Sequence, residues 1–101
     1  MAYEGGALDA TIAAAAGDDA ALFLELRVAF LESAAHQIDL LRRSRCDGNW
    51  RMAAMRLIGL ASSFHAEHLL ALAEEAADAA PGEPGVVRRL QRHMDELALT
   101  F

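Results

Sequence analysis

The 101-residue sequence contains no lysine: all nine of its basic residues are arginines. Any chemistry that requires a lysine ammonium is excluded from the outset. The single cysteine, Cys46, has no partner in the chain, which removes intrachain disulfides and cysteine-based zinc sites and favours a reducing, cytoplasmic setting. Residues that favour strands are scarce. Val, Ile and Thr together number eight, against 23 Ala and 15 Leu, so an all-α fold is expected. Long apolar runs are missing as well. No uncharged stretch approaches the ~20 residues that cross a bilayer, and the opening Met1-Ala-Tyr-Glu-Gly-Gly lacks the basic start of a secretory leader. Neither secretion nor membrane insertion is therefore expected. Positive charge is outnumbered, with nine basic residues against fifteen acidic ones and a net charge of −6. A surface of that sign repels phosphate backbones, so nucleic acid is not an expected partner.

At this length one domain, 1–101, is expected, with a core large enough to need no disulfide or metal. Punctuation divides it into five helical segments. The first, α1, covers 8–16 and stops at Gly17, a helix-ending residue. Asp18 and Asp19 offer a cap for α2, which runs to about 45, where Arg42, Arg43 and Arg45 suit the negative end of the dipole. Asp47, Gly48 and Asn49 read as a polar turn, and α3 continues from 50 to about 65. The fourth segment, α4, spans 67–80, and Pro81-Gly-Glu-Pro-Gly separates it from α5 at 86–99. Apolar residues recur at three and four residue steps: Leu22, Leu26 and Phe30 in α2, then Trp50, Ala53, Leu57, Leu60 and Phe64 in α3. The same spacing holds for Leu69, Leu72, Ala73 and Ala76 in α4 and for Val87, Leu90, Met94 and Leu97 in α5. Short connections between such helices imply an antiparallel up-down four-helix bundle of α2 to α5, with the short extra N-terminal helix lying across it.

The side of α3 opposite Leu57 should be charged, yet it carries Met52, Met55, Gly59, Ser62 and Ala66, with Ile58 on one shoulder and Arg51 and Arg56 alongside. A mid-helix glycine costs about 1 kcal/mol relative to alanine, so Gly59 is better explained by the close approach of another surface. Methionine suits adaptable contacts. On α2, Leu24, Val28, Leu31 and Ala35 also turn away from the apolar stripe, with α1 able to cover part of the set. Covered within the bundle, these positions are ordinary packing; left open, they form a docking surface on two helices.

The stretch Ala54-Met55-Arg56-Leu57-Ile58-Gly59-Leu60-Ala61-Ser62-Ser63-Phe64-His65-Ala66 resembles the motif of histidine phosphotransfer (HPt) domains, Ala-His-x-Leu-Lys-Gly followed by small residues and a Gly-Ala. Ala54, Leu57, Gly59 and Ala66 match. Upstream, Gly17-Asp-Asp-Ala-Ala-Leu, Phe30-Leu-Glu and the turn from Asp47 to Trp50 resemble the same family's second helix and acidic-Trp turn. The resemblance implies a four-helix bundle that meets receiver domains of two-component phosphorelays. It also shows what is missing: the phosphoacceptor position holds Met55, and the position of the family's lysine holds Ile58. A thioether cannot take up a phosphoryl group as an imidazole does, and Ile58 has no charge to balance a phosphate. Gly59, which in the family leaves room for the receiver, is kept.

A relocated acceptor would keep glycine four residues on, but His36, His65, His68 and His93 are followed there by Leu40, Leu69, Leu72 and Leu97. His65 stands at the family's second glycine position. His65 and His68 with Glu67 and Glu74 or Glu75 could hold a metal, although no Glu stands three residues before a His as di-iron bundles require, and no metal or cofactor is expected. Ser62, Ser63 and His65 have no acidic orienter and make no triad. Arg42, Arg43 and Arg45, like Arg88, Arg89 and Arg92, read as solvated or helix-end charge. Trp50 is expected to anchor the core at the α2–α3 turn.

The expected function is non-enzymatic: an HPt-like protein that binds a response-regulator receiver or a histidine kinase without carrying phosphate. The contact set is Met52, Met55, Ile58, Gly59 and Ser62 on α3, supported by Leu24, Val28 and Leu31 on α2. The alternative is a structural module in which the same apolar strip forms a homodimer.

Overall fold

The computed structural model describes residues 4–99, and among these there are helices and no strands. The elements are α1 (Glu4–Ala16), α2 (Ala20–Arg43), α3 (Asp47–Ser63), α4 (Glu67–Asp78) and α5 (Pro84–Leu99). None is long and apolar enough to cross a membrane.

Local chemistry explains the ends. Gly17, at φ 65°, donates to the Ala13 carbonyl and closes α1. Asp19 then caps α2, its carboxylate accepting from the Leu22 N–H at 3.0 Å. α2 stops at Arg43, two residues short of the expected end. There Ser44 turns extended and bonds the last carbonyls, its N–H to Leu41 O and its hydroxyl to Leu40 O at 2.7 Å. The expected polar turn at Asp47, Gly48 and Asn49 is instead the first turn of α3, because the Trp50 N–H already donates to the Cys46 carbonyl. An aspartate there complements the positive end of the helix dipole. α3 ends at Ser63 and α4 at Asp78, again earlier than expected, whereas α5 begins earlier, at Pro84. Proline suits that first position, and the Glu83 carboxylate accepts from the Gly85 and Val86 N–H groups at 2.9 and 2.8 Å. A Cβ on Gly85 would sit 2.9 Å from a Glu83 carboxylate oxygen, so a side chain there would make the carboxylate shift slightly.

The helices touch in a definite order. α2 packs against α1, α3 and α5, and α4 packs against α3 and α5. The core is α4's expected face together with stripes on α2 and α3 that are rotated from expectation. On α3 the buried residues are Trp50, Ala53, Ala54, Leu57 and Ala61, while Leu60 and Phe64 are only partly buried. Ala54 and Ala61 turn inward toward a helix, α4, whose Ala73 and Ala76 are fully buried, and small residues on both sides let two helices approach closely. Ala66, expected on the outward side of α3, is instead buried, because α3 stops at Ser63 and Ala66 caps the start of α4. On α2, Leu22 and Leu26 are half-buried, and the buried stripe is Arg27, Phe30, Ala34, Ile38 and Leu41. On α5, Val86 and His93 are buried and Val87 is partly covered.

Arg27 is the residue that the apolar pattern conceals. Its side chain is 0% exposed, its Nε pairs with Asp9 of α1 at 3.0 Å, and its Nη2 donates to the Leu97 carbonyl of α5 at 3.0 Å. One guanidinium therefore ties α1, α2 and α5 together. Trp50 plays a similar part across the chain: its indole N–H donates to the Ala76 carbonyl at 2.7 Å. It anchors the start of α3 to the far end of α4 rather than only the α2–α3 turn, since an indole buried there must find an acceptor.

Candidate functional site

The outward side of α3 is open. Met52 is 52% exposed and Met55 50%, Gly59 and Ser62 are exposed, and Ile58 is half-buried with its side chain against the core. Nothing lies within 4 Å of where a Cβ on Gly59 would stand. The fold therefore gains nothing from glycine at this position, although an alanine would stabilise the helix by about 1 kcal/mol. Met55, at the position where the resembled motif has its acceptor, presents a flexible thioether to solvent.

Beside this ridge lies a cleft of about 360 Å³ between the end of α2 and the start of α3, bordered by Leu40, Arg43, Ser44, Asn49, Met52 and Arg56. Sequence reading missed its α2 wall. Asp47, Gly48 and Asn49 were expected as a turn, whereas α3 begins at Asp47 and brings Asn49 and Met52 to the same cleft as Leu40.

The α2 residues expected to extend the ridge do not join it. Leu24 and Val28 are exposed, at 47% and 43%, and form a shallow depression with Glu25, Ala29 and Glu32. Leu31 is half-buried against the core. At about 100° per residue, Leu24, Val28 and Leu31 point roughly 120° or more around α2 from Leu40, the residue that borders the α3 cleft. The two apolar surfaces are separate, and α1 leaves Leu24 and Val28 uncovered.

No histidine stands on the α3 ridge. His36 is exposed on α2. His68 of α4 lies against the buried His93 of α5, the rings tilted at 47° with centroids 4.3 Å apart. Among the described residues no group of three His, Cys, Asp or Glu side chains is placed to hold a metal ion. His65 has a backbone role that its side chain did not announce. Its φ is 57°, in the left-handed region. The Ala66 N–H donates to the Ala61 carbonyl at 2.9 Å and the His65 N–H to the Ser62 carbonyl at 3.3 Å, the paired bonds of a helix stop normally built on glycine. A histidine occupies a glycine's conformation there, which costs roughly 1 kcal/mol or more.

The arginines divide into held and unheld. Asp39 accepts from Arg42 at 2.5 Å and from Arg43 at 2.9 Å, and the Arg42 hydrogen bond, helped by both guanidinium charges, lowers its carboxyl below the usual aspartate value. Arg89 pairs with Glu75. The exposed Cys46 precedes α3 and makes no side-chain cap to it.

No family model, characterised protein or solved structure matches the chain.

Proposed function

We propose that this chain is an HPt-type helical bundle without a phosphoacceptor, which docks on a receiver domain or a histidine kinase of a two-component system and passes on no phosphoryl group. The observation that carries the reading is Gly59: a glycine in the middle of an exposed helix face, with open space over it and no use to the fold. A surface that must come within backbone distance of α3 accounts for it.

Two further observations support the same reading. The helix contacts run α2 to α3 to α4 to α5 and back to α2, as an up-down four-helix bundle requires, with α1 laid on α2. His65, aligned with the second glycine of the HPt motif, adopts the left-handed conformation that favours glycine. A glycine would suit this position, as the resemblance expects.

The mechanism follows from what stands on the ridge. Receiver phosphorylation sites surrender phosphate to an imidazole nucleophile, and Met55 offers a thioether instead. Ile58 supplies no cation. A partner seated over Gly59 would be held and not discharged, so the protein would act as a brake or an adaptor by occupying the receiver's docking face. A cytoplasmic setting goes with this reading.

The test is a pull-down of receiver domains, with and without a phosphate mimic, by the intact chain and by Gly59→Arg. Binding to a receiver should be lost in the variant while its helicity is unchanged, since the site is exposed. Retained binding would remove Gly59 from the interface. Incubation with a phosphorylated receiver should leave no acid-labile phosphate on the chain.

A further inference from the structure

Charge is distributed unevenly along the chain. Residues 36–66 hold five of the nine arginines, at 42, 43, 45, 51 and 56, and only two of the fifteen acids, Asp39 and Asp47. That stretch therefore carries +3, and the remainder of a −6 protein carries −9. Within that stretch the end of α2 meets the start of α3. Asp39 serves two guanidinium groups at once. Arg51 and Arg56 are exposed and flank the methionine ridge, and Arg56 together with Arg43, which also pairs with Asp39, borders the cleft that Leu40, Met52 and Ala53 line with apolar surface.

We propose that this cleft and the adjoining ridge recognise an acidic amphipathic helix of a partner protein, its apolar side on Met52 and Leu40 and its carboxylates on Arg43 and Arg56. The inference rests on the docking role proposed above and adds the chemistry of the partner. Charge complementarity argues for it: arginine forks pair with carboxylates in a bidentate manner and attract them over the length of a screening layer. The apolar lining argues for a protein rather than a nucleic acid, because a phosphate backbone has nothing to place against Met52 and Leu40. The acidic remainder of the molecule repels such a backbone further. The Leu24–Val28 depression, framed by Glu25 and Glu32, has the opposite sign and would refuse the same helix.

The experiment uses the full chain and two labelled 20-residue helical peptides with the same leucine face, one bearing glutamates and the other lysines, read by fluorescence anisotropy. The glutamate peptide should bind at least tenfold more tightly than the lysine peptide and weaken about tenfold between 50 and 500 mM NaCl, as screening dictates. The double variant Arg43→Glu, Arg56→Glu should reverse the preference; because Arg43→Glu also removes the pairing with Asp39, its retained helicity is checked alongside by circular dichroism. Equal binding of the two peptides, an unaltered preference in the double variant, or tighter binding of a 20-nucleotide single strand would overturn the proposal. A receiver that is lost with Gly59→Arg but still held by the double variant would sink this inference and leave the docking role standing. Acidic-peptide binding without any receiver binding would do the reverse.

Discussion

Two single residues carry information that no helical pattern contains. His65 holds a left-handed conformation at the end of α3, and a β-carbon there is strained whatever its surroundings. Replacement by glycine relieves that strain at a smaller cost in unfolded-chain entropy, so His65→Gly should stabilise the protein by about 0.5–1 kcal/mol, measured by urea unfolding. A destabilised His65→Gly variant would mean that the imidazole makes a contact worth more than the strain. Arg27 is the second. A fully buried guanidinium tolerates its position only while its charge is answered, in part by Asp9, which is itself 40% exposed. Asp9→Ala should destabilise by about 2 kcal/mol, because it takes a carboxylate partner from a buried cation. Arg27→Met, which removes the charge and keeps much of the volume, should cost less than half of that in the same measurement. Arg27 was legible in retrospect: it stands at three and four residue steps from Phe30, Ala34, Ile38 and Leu41. An arginine is read as solvated by default, and only the placement of Asp9 and Leu97 shows where its charge goes.

At the scale of the element, ends were less readable than faces. Punctuation located all five helices, although α1 starts at Glu4 rather than at residue 8, and the apolar spacing gave the whole buried face of α4, since burial of that face is the main reason the helix forms. Helix ends depend on which donors and acceptors are nearby in three dimensions. Ser44 and the Cys46 carbonyl moved two boundaries that composition placed elsewhere. The start of α5 gives a pH test. The Val86 and Gly85 N–H groups donate to the charged Glu83 carboxylate, which lowers its pKa from the ordinary 4.5. A lowered folded-state value means that the cap contributes above pH 4.5 and that this contribution fades as pH falls through the lower folded value. The difference in melting temperature between the parent and Glu83→Ala should therefore be widest above pH 4.5 and narrow in acid. A gap that stays constant across that range would show that Glu83 acts through packing rather than through its charge.

For the molecule as a whole, the open question is what covers the α3 ridge. The docking role requires Met52, Met55 and Gly59 to be free in the unpartnered protein. Sedimentation at about 10 µM should accordingly return the 10.9 kDa monomer. A dimer that buries the methionines would support the homodimer reading instead, and Gly59→Arg would then break the dimer. That four of the anticipated residues share one exposed side was visible in the sequence for a sound reason. On one helix, angular position is fixed by residue number, so Met52, Met55, Gly59 and Ser62 had to share a side. Leu24, Val28 and Leu31 lie on another helix, and whether they joined that side depended on how α2 is rotated against α3. The rotation went the other way, because Arg27 and Ile38 rather than Leu22 and Leu26 face the interior.

The sequence by itself determined that this protein is helical, where its five helices lie, and that α3 has an uncharged outer side notched by a glycine. Each follows from propensity and spacing along one chain, which are local. Only the tertiary structure decided that the ridge is open, that its α2 neighbour is a basic cleft rather than the Leu24–Val28 patch, and that a buried arginine joins three helices. Those outcomes depend on the rotation of one helix against the next, which is set by side chains far apart in sequence and by the demand that every buried charge and donor be answered.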